Sequence, residues 1–194
     1  MLKTTFLNNV LNQYKIKPYL VLLFLIIFSS TTFSETKLVI LGSGTPNPDP
    51  NRFGSGYAII VNEKAYIVDF GPGIVRRISA MSPSWGGEFS AMELENINIA
   101  FLTHIHSDHS GALADLILTP WVMGRDEPLK LFGPQGLKKM AKKITEAYED
   151  DINYRLYGSQ PANKLGYLTN VSEIFDDGLI SVSYTHLRAH ETAT

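Results

Sequence analysis

Three of the five histidines in this chain of 194 residues fall within six positions, in the run His104-Ile-His106-Ser-Asp108-His109. The segment Ile97 to Leu102 before it is largely apolar and reads as a buried strand. Gly111-Ala-Leu-Ala-Asp-Leu116 after it reads as a helix. The cluster therefore occupies a strand-to-helix loop, where layered α/β domains commonly place their sites. In an extended segment residues two apart project to one side, so His104 and His106 are placed to grip one ion. Asp108 and His109 are adjacent, and an extended backbone would splay them apart. A turn at the helix start brings both toward a second ion. Imidazole is the commonest protein ligand for zinc, and carboxylate also suits it. A pair of ions about 3.5–4 Å apart polarises an ester oxygen and lowers the pKa of bound water to about 7. Asp108 has two oxygens, so it can ligate and also orient or deprotonate that water. A structural zinc site would want a closed shell of four ligands. The chain has no cysteine and no second histidine cluster to close one.

The rest of the body alternates strands and helices. Lys37–Leu41, Tyr57–Val61 and Ala65–Asp69 read as strands, the last two joined by a hairpin-length connection at 62–64. Gly42–Pro50 is a loop, and Phe70-Gly-Pro-Gly73 turns the chain into a helix beginning near Ile74. Ser82–Gly87 is another loop by its breakers. A helix over Ala112–Leu118 is expected to stop at Pro120. Leu129–Phe132 reads as a strand and Gly133-Pro-Gln-Gly136 as a turn. Leu137, Met140, Ala141, Ile144, Ala147 and Tyr148 then recur at helical spacing. Lys138, Lys139, Lys142 and Lys143 lie on the other face, which the period explains as a solvated face before a phosphate patch. Leu165–Ile174 and Leu179–Val182 are weaker strands. The order predicts an α/β domain in which helices cover a sheet.

The two ends read differently. Met1–Ser34 has Lys3, Lys15 and Lys17, an apolar stretch Tyr19–Phe28, then Ser29-Ser-Thr-Thr-Phe-Ser34. The apolar block is far shorter than the roughly 20 residues that span a bilayer. A secretory signal peptide cut before Glu35 fits this pattern, with an uncleaved anchor as the alternative. Export predicts a periplasmic or extracellular protein with no lasting membrane association after cleavage. Val182–Thr192 resembles the translation of a transposon-type sequencing adapter, residue for residue in one frame. On that reading residues 182–194 are not native, and the native sequence departs from this one near Ser181. His186 and His190 are then not offered as ligands. Removing the three leader lysines takes the formal charge from −2 to about −5. That acidic body gives no electrostatic footprint for nucleic acid, so a nucleic-acid partner is not expected.

Leu41-Gly-Ser-Gly-Thr-Pro46, Tyr66-Ile-Val-Asp69-Phe-Gly-Pro-Gly73, the His-x-His-x-Asp-His motif and the Gly133–Gly136 turn together resemble the metallo-β-lactamase-fold hydrolases, within them the ribonuclease Z-like and arylsulfatase-like branch. The resemblance covers about Lys37 to Val182. It implies a four-layer αβ/βα sandwich, of which residues 35–181 would be the N-terminal half. It implies two zinc ions, His104 and His106 on the first, Asp108 and His109 on the second, with Asp108 as proton acceptor. Asp69 matches an aspartate that would orient the site loops, against the plainer reading of a strand-end turn residue. The family's later ligands are a third histidine for each metal and a bridging aspartate. The first would be due near Leu179 onward, so the chain is expected to hold half of each shell, to bind metal weakly and not to turn over.

Three functional readings follow. The first is an exported dinuclear zinc hydrolase of a small-molecule ester such as a sulfate or phosphodiester. The second is a ribonuclease Z-type endonuclease acting on tRNA precursors. The third is a metal-binding module without activity. Trp121 and Arg125 are candidates to line a substrate cleft, the arginine facing an anion, or else a packed Trp and a surface Arg. A homo-oligomer is compatible with all three.

Overall fold

The computed structural model describes residues 35–159, 161–175, 179–182 and 185–188. The expected leader and His190 lie outside the described residues. The frame is a six-stranded mixed sheet of β1 (Thr36–Gly42), β2 (Gly56–Val61), β3 (Lys64–Val68), β4 (Ile99–Phe101), β5 (Leu129–Gly133) and β6 (Thr169–Glu173), in that spatial order. β1, β2 and β3 form an antiparallel meander, and β3 to β6 run parallel. Asn62 and Glu63 both take positive φ, 49° and 57°, as a two-residue hairpin turn requires. Parallel neighbours need crossovers, and the helices supply them. α1 (Ile74–Ala80) leads to β4. α2 (Ser107–Ser110) and α3 (Leu113–Val122) lead to β5. α4 (Leu137–Ala147) and α5 (Glu149–Tyr157) lead to β6. Backbone over β7 (Leu179–Val182) and β8 (Thr185–Arg188) forms a separate antiparallel pair.

One face of the sheet carries the core. Ala58, Ile60, Ala65, Ile67, Ala100, Leu129 and Leu131 pack there against Ile74, Ile78, Leu113, Leu116, Ile117 and Leu137, all buried. The other face is half covered. Leu38 and Ile40 are exposed, and Phe101 stacks on Phe132 with ring centroids 5.1 Å apart. The described residues thus supply one sheet and one helical layer of the expected four-layer sandwich.

Three elements differ from the sequence reading. The strand before the histidines is only three residues long, although Ile97 and Leu102 flanking it are buried as expected. The helix expected to stop at Pro120 runs through it to Val122. A proline lacks the N–H that would bond the carbonyl four residues back, here Leu116. Arg125 Nη1 donates to that oxygen at 3.1 Å and so gives the orphaned carbonyl a donor. α5 was not anticipated. It buries only Ile152, so its apolar period is faint, but Glu149, Asp150 and Asp151 in its first turn and Arg155 in its last favour the helix electrostatically.

Candidate metal centre

The site begins where β3 ends. Asp69 has φ 58°, an uncommon conformation for a residue with a Cβ, and it turns the chain sharply out of the sheet. Its N–H donates to the Phe101 carbonyl at 2.8 Å, which fixes it beside the end of β4. The following loop then grips the histidine segment through the main chain. Phe70 N–H donates to His109 O at 2.7 Å, Ala112 N–H to Phe70 O at 2.9 Å, and Ser55 N–H to Asp108 O at 3.0 Å. A Cβ on Gly71 would lie 1.9 Å from the Asp108 carbonyl, so only glycine permits this approach. On the other side Gly136 abuts Ile105, where a Cβ would meet Cδ1 at 2.9 Å. Gly71 and Gly136, from two of the Gly-rich stretches singled out in the sequence, therefore wall the histidine loop, while Gly42 and Gly44 pack against Phe53 and Gly54.

Within that frame Ser107–Ser110 form a single helical turn, and Ser110 Oγ donates to the carbonyls of Ile105 and His106. The turn does what the sequence reading required: it brings Asp108 and His109 to the same side. Asp108 Oδ2 and His109 Nε2 lie 3.5 Å apart. Two atoms bound to one tetrahedral zinc at about 2.0–2.1 Å lie roughly 3.3 Å apart, so this pair fits one ion with almost no movement. The rings of His104 and His106 meet edge to face at 4.7 Å, and those of His104 and His109 at 4.1 Å. All four expected ligands thus gather at one end of the sheet. Among the described residues, no three His, Asp or Glu side chains converge on a single point. A donor-to-donor spacing that suits one ion is seen for Asp108 and His109, while His104 and His106 are adjacent by ring contact.

Asp69 underlies the gathering. It is 2% exposed, and Oδ2 lies 2.7 Å from His109 Nδ1. Thr103 donates to Asp69 Oδ1 from its backbone N–H at 2.8 Å, and its hydroxyl lies 2.9 Å from both oxygens. Asp69 thus stands just past the end of β3 and is hydrogen-bonded to His109 and Thr103. Burial, and after it the charge of Asp69, push the Tyr57 phenol above its ordinary range. Thr103 was not singled out in the sequence. The signal available was its position, directly between the buried strand and the first histidine.

Arg125 and Trp121 do not line a cleft. Arg125 is 1% exposed, and its guanidinium donates to the carbonyls of Ile97, Leu116, Ile117 and Gly166 at 2.6–3.2 Å. Desolvation lowers its pKa to about 10, which leaves it charged at neutral pH. Trp121 is buried too, and its Nε1 donates to Asn163 O at 2.8 Å. A fork of five donors suits four converging carbonyls as well as it suits an anion, and here the carbonyls hold it. The second half of the plainer reading also needs correction, because the arginine is not at the surface. The α4 lysines are exposed as expected, with Lys142 and Lys143 paired to Glu146.

The family model of the metallo-β-lactamase superfamily matches residues 49–176, and the chain belongs to that superfamily. Members typically hold zinc. Among curated relatives, ribonuclease Z of Mycobacterium bovis (strain BCG / Pasteur 1173P2) is 32% identical over 123 residues, covering 62% of this chain and 41% of the relative. Ribonuclease Z of Mycobacterium avium (strain 104) is likewise 32% identical over 123 residues, with the same coverage. The fold is shared with human tRNase Z, short form, at a TM-score of 0.53 and 21% identity over 72% of this chain and 44% of that one. The chain spans about two fifths of the length of the curated relatives it matches.

Proposed function

We propose that this chain carries the first half of a dinuclear zinc centre in a ribonuclease Z-type phosphodiester hydrolase that acts on tRNA precursors. The observation that carries it is the pair Asp108 Oδ2 and His109 Nε2, 3.5 Å apart and backed by Asp69, beside the pair His104 and His106. Bound there, zinc supplies a Lewis acid and a water acidic enough to attack at neutral pH. The chain's own part is to aim the ligands. Asp108 would offer one oxygen to the ion and keep the other free to accept a proton from water. The net reaction would add water across one P–O bond of the diester, leaving a phosphomonoester on one side and a free hydroxyl on the other. Phosphodiester stands ahead of sulfate because the curated relatives are ribonucleases Z. This ordering reverses the one drawn from the sequence, and it makes RNA the partner despite the acidic body.

Met1–Ser34 supports a second reading, an exported hydrolase of a small ester, because its pattern is that of a leader. One experiment separates them. Zinc-supplied protein from the native gene is given a precursor tRNA with a 3′ trailer, bis(p-nitrophenyl) phosphate and an aryl sulfate, and the cells are fractionated. Trailer release by cytoplasmic protein is expected. Aryl sulfate or simple diester hydrolysis by exported protein, with the precursor intact, would move the assignment to the second reading.

A further inference from the structure

Asp69 reaches two imidazoles. It touches His109 directly through Nδ1, and it reaches His104 through Thr103, whose Oγ1 lies 3.0 Å from His104 Nδ1. A hydroxyl has one proton and two lone pairs, and a carboxylate only accepts. The Thr103 proton therefore goes to Asp69, leaving the hydroxyl to accept from His104. Both rings then carry their proton on Nδ1 and present a bare Nε2. Among the described residues no hydrogen bond holds the His106 ring, and His106 is exposed.

We infer that Thr103 is a positioning residue that fixes His104 as its Nδ1–H tautomer, so that the one carboxylate of Asp69 sets the ligand face of a histidine in each metal pair. A second-sphere hydrogen bond of this kind fixes both ring orientation and tautomer. The inference rests on reading the motif as a metal centre, and it is independent of whether the substrate is RNA. Thr103 itself is exposed, so water competes for its hydroxyl, and the tautomer of His104 reports which partner wins.

The test uses the metal-free full chain with 15N-labelled histidine, at about pH 8 where ordinary imidazoles are neutral. Long-range proton–nitrogen spectra assign each tautomer. In the wild type, His104 and His109 are expected as Nδ1–H. Thr103→Val should release His104 and leave His109 fixed, because the Thr103 N–H bond to Asp69 survives the substitution. Thr103→Ser should restore His104. Zinc affinity should fall about tenfold in the valine variant and recover in the serine variant. The inference is overturned if His104 is Nε2–H in the wild type, if it stays Nδ1–H in Thr103→Val, or if His109 is released along with it. Thr103→Ser provides the reading if the valine variant does not fold, since a loss of the His104 tautomer there contradicts the role directly.

Discussion

Asp69 and Arg125 are both charged, both buried to within 2% of full, and both placed just past the end of an element. They serve different parts of the molecule. The partners of the Asp69 carboxylate are the side chains of His109 and Thr103 together with the Thr103 N–H, and its own N–H is held by the end of β4. The partners of Arg125 are four backbone carbonyls, one of them orphaned by Pro120. A buried charge is costly wherever it sits, and it persists only when its hydrogen bonds are met. The contrast teaches that burial of a charge does not mark a site. The kind of partner does: side chains that open toward solvent at Asp69, and a closed set of main-chain oxygens at Arg125.

The largest expected effect tests the second half of that contrast. Arg125→Met takes the guanidinium from four buried carbonyls, of which Leu116 O is also denied its helical donor by Pro120, and a buried carbonyl left unmet costs about 1–3 kcal/mol, so stability should fall by about 3 kcal/mol in urea denaturation. Zinc affinity of the folded protein should not change. A loss below about 1 kcal/mol would mean that water or neighbouring N–H groups replace the guanidinium.

Asp69→Asn should do the reverse. Its amide can place a donor against His109 Nδ1–H, and zinc affinity by calorimetry should drop about 10–100-fold. Unchanged affinity with a large fall in stability would make Asp69 a scaffold residue like Arg125. His104→Ala with His106→Ala should lower bound zinc measured by metal analysis while the Asp108–His109 pair keeps a weak site, and unchanged metal content would remove the motif from the account. The smallest effect belongs to an exposed charge. Arg155→Ala breaks a surface pair with Asp151 at 2.9 Å and should cost only about 0.3–0.5 kcal/mol. A larger loss would mean that exposure does not separate weak charges from strong ones here.

Much of the site was legible because its signals are local. His104, His106, Asp108 and His109 sit close in sequence, and a single turn is enough to gather them. The glycines that wall the loop were also visible as breakers around Asp69 and Pro134, although what they make room for was not. Less was legible where long-range partners decide. Pro120 is a stop signal locally, and only Arg125 folded back on Leu116 lets the helix continue. Arg125 reads from the sequence as either an anion ligand or a surface residue, because nothing in its own neighbourhood reveals that Ile97 and Gly166 converge on it. α5 was hidden because a helix with one buried residue has almost no apolar period. The open face bearing Leu38 and Ile40 had no sequence signature, since alternation gives two apolar faces without saying what covers the second.

The most direct test is an anomalous-difference map from zinc-soaked crystals. The account predicts one ion bonded to Asp108 Oδ2 and His109 Nε2 at about 2.0–2.2 Å, and another on His104 and His106. A single zinc held between His104 and His109, with Asp108 unbound, would contradict it.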